Sequence, residues 1–184
     1  GAERFAIRYA QGPLLSRREW DNPGAPEYES LGIYRTGMAE KGAPEGIMPG
    51  PGVDAQTLDG FYLGGDICLY DPASVSEQNV PRFRGSRAAT DAPTLYYVNG
   101  ANGSPVITAI NVAALAETSQ ISVLVIFYAG DGTAPLTHAL PAVSSGASVE
   151  TLKGVIADHL ARQEPVHIRG GSAGTVVISE AIDA

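Results

Sequence analysis

Ile121-Ser122-Val123-Leu124-Val125-Ile126-Phe127-Tyr128 is the longest apolar run in the chain, and it is rich in β-branched and aromatic residues. Polar Glu117-Thr118-Ser119-Gln120 precedes it and Gly130-Asp131-Gly132 stops it. That length, composition and punctuation predict a strand rather than a helix. Its nearly continuous hydrophobicity predicts that both faces are covered, which puts it at the centre of a sheet.

Outward from this strand, the C-terminal half reads as β-rich. Thr94–Val98 is an expected strand, and Asn99-Gly100-Ala101-Asn102-Gly103 an expected turn, since Asn and Gly tolerate positive φ. Val106, Thr108, Ile110 and Val112 alternate, which predicts a partner strand over 106–112, with one helical turn at 113–116. A further strand is expected over 136–143, between Pro135 and Pro141. One helix is expected at about 148–163: Val149, Leu152, Val155, Ile156 and Leu160 form an apolar stripe, Ser148 is the expected N-cap, and Pro165 lies just past the end. Residues 166–168 and 175–178 are expected to form a final hairpin. The fold expectation is therefore mainly β: a β-sandwich or open barrel with one packed α-helix.

The N-terminal half differs in kind. Residues 1–92 hold nine Lys/Arg and thirteen Asp/Glu, against three and seven in residues 93–184. Gly12-Pro13, Asn22-Pro23-Gly24 and Pro49-Gly50-Pro51-Gly52 break any long element, yet Phe5, Tyr9, Trp20, Tyr28 and Tyr34 are spaced along the same stretch. Such aromatics are scarce in disordered tails. The expected organisation is an extended arm at 1–52 and a globular domain at 53–184, with its core at about 94–180. Phe61–Tyr70 reads as two short strands around Gly64-Gly65-Asp66.

Composition narrows function. A net charge of −8 argues against general nucleic-acid binding. A single cysteine, Cys68, excludes an intrachain disulfide, and no apolar run reaches the length of a membrane span. The chain opens at Gly1 without a signal-like segment, as after removal of an initiator Met, a leader or a tag.

Gly170-Gly171-Ser172-Ala173-Gly174 matches the G-x-S-x-G nucleophile elbow, which needs a strand before it, a helix after it, and acid and histidine partners. Here a strand pattern follows and no later histidine does, so a hairpin turn is the expectation. His138, His159 and His167 lack metal-ligand spacing. Asp54, Asp59, Asp66 and Asp71 miss the calcium-loop pattern and read as turn caps. Arg82, Arg84 and Arg87 form the basic cluster, able to contact an anion or to pair with neighbouring carboxylates. Asn102-Gly103-Ser104 is a formal glycosylation sequon explained by turn chemistry. No catalytic residue, metal or cofactor is assigned, and no enzyme is expected.

An extended opening over 12–52, a β-rich body from Thr94 and few lysines together resemble bacteriophage virion accessory proteins, such as capsid decoration or head- and tail-associated subunits. The resemblance implies a non-enzymatic structural subunit located in the virion and made in the host cytoplasm. Its partners would be copies of itself and a capsid or tail protein, with no nucleic acid and no membrane. In that reading Phe5, Tyr9, Trp20, Tyr28 and Tyr34 anchor the arm on neighbouring subunits. A carbohydrate-binding module or adhesin, stacking sugars on Trp20, Tyr28, Tyr34, Tyr96 and Tyr97, is the alternative, and a hydrolase using Ser172 the third reading.

Overall fold

The computed structural model describes residues 46, 58–100, 105–130 and 146–183. The arm anchors Phe5, Tyr9, Trp20, Tyr28 and Tyr34, and likewise Asp54, His138 and the strand expected at 136–143, lie outside the described residues.

Residues Ser122–Ile126 form the central strand, and all five are buried, as the apolar run predicted. Around it the elements run β1 (Tyr62–Leu63), β2 (Leu69–Tyr70), β3 (Phe83–Arg84), β4 (Thr94–Val98), α1 (Pro105–Ser119), β5 (Ser122–Ile126), α2 (Ala147–Ala161), β6 (His167–Gly170) and α3 (Gly174–Asp183). The strands make one mixed sheet in the order β2-β1-β5-β4-β6. β1 and β3 both pair antiparallel with β5, β1 at Val125 and Ile126, β3 at Ser122 and Val123. β4 runs parallel to β5, with Thr94 beside Ser122 and Val98 beside Ile126. It also runs parallel to β6, with Leu95 beside His167 and Val98 beside Gly170.

This is an α/β architecture, and it overturns the expected β-sandwich or open barrel. Two corrections carry the difference. The strand expected at 106–112 is the first half of α1. Its alternating apolar residues suit a strand, but Ala109, Val112, Ala113 and Ala116 also repeat at helical spacing, and they are buried against the sheet together with Ile110. Pro105 stands at the first helical position, where its missing N–H costs nothing. Parallel β4 and β5 also need a crossover, which a tight turn at 99–103 cannot provide. The second correction is the hairpin at 166–178. Its first limb is β6, but its second, Thr175–Ile178, is the start of α3. Val177 and Ala181, four apart, turn that helix's buried face to the core.

The sheet has helices on both sides. Val123, Val125 and Phe127 pack with Leu63, Leu69, Phe83 and the small residues of α1. Leu124, Ile126 and Tyr128 face the other way, onto Val149, Leu152 and Val155 of α2 and Val177 and Ala181 of α3. Burying each such aliphatic side chain contributes about 1.5–3 kcal/mol. The expected helix is present as α2, but its cap is not Ser148. Gly146 is the N-cap residue and makes no side-chain cap bond. Ser148 is buried, and its hydroxyl has no partner among the described residues.

Candidate functional site

β4 leads through Asn99-Gly100 toward α1 on one face of the sheet. β6 leads through Gly171-Ser172-Ala173 into α3 on the other face. These neighbouring parallel strands therefore send their connections to opposite sides. In parallel α/β sheets such a divergence leaves a crevice outside the carboxyl ends of the strands, where ligands bind. Ser172 lies at this divergence and is exposed.

The strand–turn–helix that a nucleophile elbow requires is thus present around Gly170-Gly171-Ser172-Ala173-Gly174. Its backbone is informative. Ser172 has φ +47°, whereas its three glycine neighbours all have φ outside the left-handed region. A plain turn puts glycine where φ is positive. Here a serine takes that conformation, at a cost of about 1–3 kcal/mol. The flanking glycines serve close packing instead. A Cβ on Gly170 would lie 2.7 Å from the Thr175 nitrogen, and one on Gly174 would overlap the Val98 carbonyl oxygen. Gly171 sits against the Tyr97 hydroxyl, which a Cβ would approach to 2.6 Å.

Hydrogen bonds tie the turn to β4 and close it into α3. The Gly171 N–H donates to the Val98 carbonyl at 2.9 Å, and the Thr175 N–H donates to the Ser172 carbonyl at 3.0 Å. The N–H of Ala173, directly after Ser172, has no partner among the described residues, nor does the N–H of Gly100. Gly100 adjoins the serine: a Cβ there would stand 3.4 Å from the Ser172 Cβ. An exposed serine thus has two residues near it, Ala173 and Gly100, whose N–H groups have no partner among the described residues, and free backbone N–H donors are the groups that hold a developing oxyanion.

The other sequence-derived candidates occupy structural positions. Asp59 accepts from the N–H groups of Ala129 and Ser148, at 2.9 and 3.2 Å. Asp66 accepts from the Cys68 N–H and the Tyr70 hydroxyl, and Asp71 from the Ala73 N–H. These three are turn and helix caps, and no group of His, Cys, Asp and Glu among the described residues is arranged to hold a metal ion. Arg82 binds the Glu77 carboxylate at 2.6 Å, the carbonyls of Glu77 and Val80, and the Thr94 hydroxyl at 3.2 Å. Arg84 is held by the Ala88 and Ala89 carbonyls. Arg87 is exposed, and its N–H donates to Gln120 Oε1. The three arginines do not converge on one point: Arg82 and Arg84 are committed to the fold.

Tyr96 is buried, its hydroxyl 2.8 Å from His159 Nε2, so it offers no face to a sugar, and Tyr97 is half-buried under the elbow. His159 also reaches the Pro165 carbonyl through Nδ1 at 3.2 Å, and His167 opens β6 at the end opposite Ser172. A groove of about 530 Å³ runs between residues 72–77 and the outer side of α2, lined by Tyr62, Val75, Glu77, Thr151 and Asp158. It is separate from the elbow. Sequence reasoning singled out Ser172 but not Asn99 and Gly100, whose one signal was the same Asn-Gly pair taken for a hairpin turn. No family model, no curated protein and no solved structure matches this chain.

Proposed function

We propose that Ser172 is the nucleophile of an acyl-transfer site, and that the protein belongs to the serine-hydrolase class of enzymes, acting on a carboxylic ester. The observation that carries this reading is the strained serine: φ +47° on an exposed residue between a strand and a helix, with Gly170 and Gly174 where a side chain would collide with backbone. Ser172 Oγ attacks the ester carbonyl carbon, and its proton passes to a general base. The carbonyl oxygen becomes an oxyanion received by the N–H groups of Ala173 and Gly100. Collapse expels the alcohol and leaves an acyl-serine, which water then hydrolyses. Ser172 Oγ has no hydrogen-bond partner among the described residues, and neither His159 nor His167 stands at this edge; the base is to be sought outside those residues.

A fluorophosphonate probe tests the reading, because it bonds only to an activated serine. The expected result is a single adduct, located by mass spectrometry on the peptide containing Ser172 and lost in Ser172→Ala. An unlabelled wild-type protein, or equal labelling of the variant, overturns it.

A second reading, the structural subunit with an extended arm, draws on a different observation. Gly46 packs directly onto the side chains of Cys68 and Tyr70, so tightly that a Cβ there would overlap Cys68. The chain therefore meets the body at β2, the last strand of the described sheet on that side. Edge strands are where an arm or a neighbouring subunit adds by main-chain pairing. In this reading residues 1–52 dock on other copies or on a capsid or tail protein.

A further inference from the structure

Asn99 directly follows β4, is 3% exposed, and uses both ends of its carboxamide. Its Oδ1 accepts from the Tyr128 N–H at 2.8 Å, and its Nδ2 donates to the Tyr128 carbonyl at 2.7 Å. The same Nδ2 also donates to the Gly100 carbonyl at 3.0 Å. A side chain thus reproduces a two-bond backbone pairing, joining the end of β4 to the chain just past β5. Beyond Val98 and Ile126, where the β4–β5 ladder ends, this amide continues it by one more pair.

The consequence falls on Gly100. Its carbonyl is held by Asn99 Nδ2, its Cα side adjoins Ser172, and its N–H has no partner among the described residues. Peptide planarity ties a carbonyl to the N–H of the following residue, so the Gly100 N–H lies in the plane of the Asn99 carbonyl, one unit before the Gly100 carbonyl. The Asn99 side chain anchors that unit at its Asn99 end, and its bond to the Gly100 carbonyl anchors the next, so the two units that meet at Gly100 are both held.

We propose that Asn99 is a positioning residue of the Ser172 site: its amide clamp on Tyr128 holds the Gly100 N–H against the serine. This rests on the reading of Ser172 as nucleophile. A donor that acts on the developing oxyanion contributes in the transition state and little to ground-state binding. Loosening its support therefore lowers kcat and leaves KM nearly unchanged.

The experiment compares wild type, Asn99→Ala and Asn99→Ser, with Ser172→Ala as the blank. It measures the fluorophosphonate labelling rate and, with p-nitrophenyl acetate, kcat and KM separately. Thermal melts followed by circular dichroism give the folded fraction at the assay temperature. The expected result is a fall of about 10- to 100-fold in kcat and in labelling rate for a folded Asn99 variant, with KM within about twofold of wild type. Asn99→Ser keeps a hydroxyl at the position and carries the comparison should Asn99→Ala not melt cooperatively. Wild-type labelling with equal labelling of the folded variants overturns the role of Asn99 alone. So does a loss of rate that only matches the loss of folded protein. Absence of any wild-type adduct overturns the Ser172 reading and this inference with it.

Discussion

Tyr96 and Tyr62 carry the residue-scale electrostatics. Tyr96 lies edge-on to the His159 ring, centroids 5.3 Å apart, in a buried network with Glu77. That carboxylate is paired with Arg82 at 2.6 Å and with Arg162 at 3.6 Å. Burial and then the Glu77 charge raise the Tyr96 phenol well above its ordinary range. Burial, with Glu77 and Asp158 beside it, pushes Tyr62 up to about 12. A raised phenol keeps its proton in the folded state while the unfolded chain loses it near pH 10. The stability it supplies is therefore complete below about pH 10 and is lost as the pH rises toward about 12. For Tyr62 the loss is about 2–3 kcal/mol. Replacing Tyr62 by Phe removes this titration, and the alkaline unfolding midpoint, followed by circular dichroism, is expected to rise. An unchanged midpoint sinks the assignment.

Among the elements, α2 shows how a helix end is completed from elsewhere in the chain. The two oxygens of Asp59 bind the chain just past β5 at Ala129 and the first turn of α2 at Ser148. A carboxylate there satisfies an otherwise unpaired N–H and suits the positive end of the helix dipole. Thr151 adds a bond to the Gly60 carbonyl at 2.8 Å. Asp59→Ala is expected to lower stability by about 1–2 kcal/mol in urea denaturation. Ser148→Ala removes a buried hydroxyl without a partner, and is expected to cost nothing or to stabilise. The opposite ranking would return the capping role to Ser148. At the far end of α2, Gln163 at φ +57° closes the helix, with the Glu164 N–H donating to the His159 carbonyl at 2.9 Å. That closing geometry turns the chain toward Pro165 and β6.

For the whole molecule, the decisive feature is the order β5-β4-β6, which sets β4 between two partners reached by crossovers on opposite faces. Among the described residues, the sheet and its helices are built from Leu58 onward, with Gly46 touching the β2 edge. Removing residues 1–52 is therefore expected to leave a cooperatively folded body with unchanged far-ultraviolet circular dichroism. Under the arm reading it abolishes self-association or docking, which light scattering reads as a fall in particle mass. An unchanged mass removes the arm as a clamp.

Legibility in the sequence followed the range of the interactions involved. Ile121–Tyr128 announced a buried central strand because its apolar run is uninterrupted, and the stripe of α2 announced a helix, since both are local patterns of burial. The Asp59 cap joins residues far apart in sequence, and nothing local points to it. At 106–112 the same residues satisfy period two and, with the alanines that follow, helical spacing; only the need of two parallel strands for a crossover decides between them. The site divides in the same way. Three glycines around Ser172 were visible as a motif, but a hairpin and an elbow share that composition. What separates them is whether Thr175–Ile178 extends or coils, and that depends on the covering of β4 and β6 by α3. The sequence by itself determined the central strand and one helix, and displayed the glycine-flanked Ser172 without saying whether it sits in a hairpin or an elbow. Tertiary structure alone decided the parallel order, the strained serine conformation and the approach of Gly100, because each depends on strands meeting across long stretches of chain.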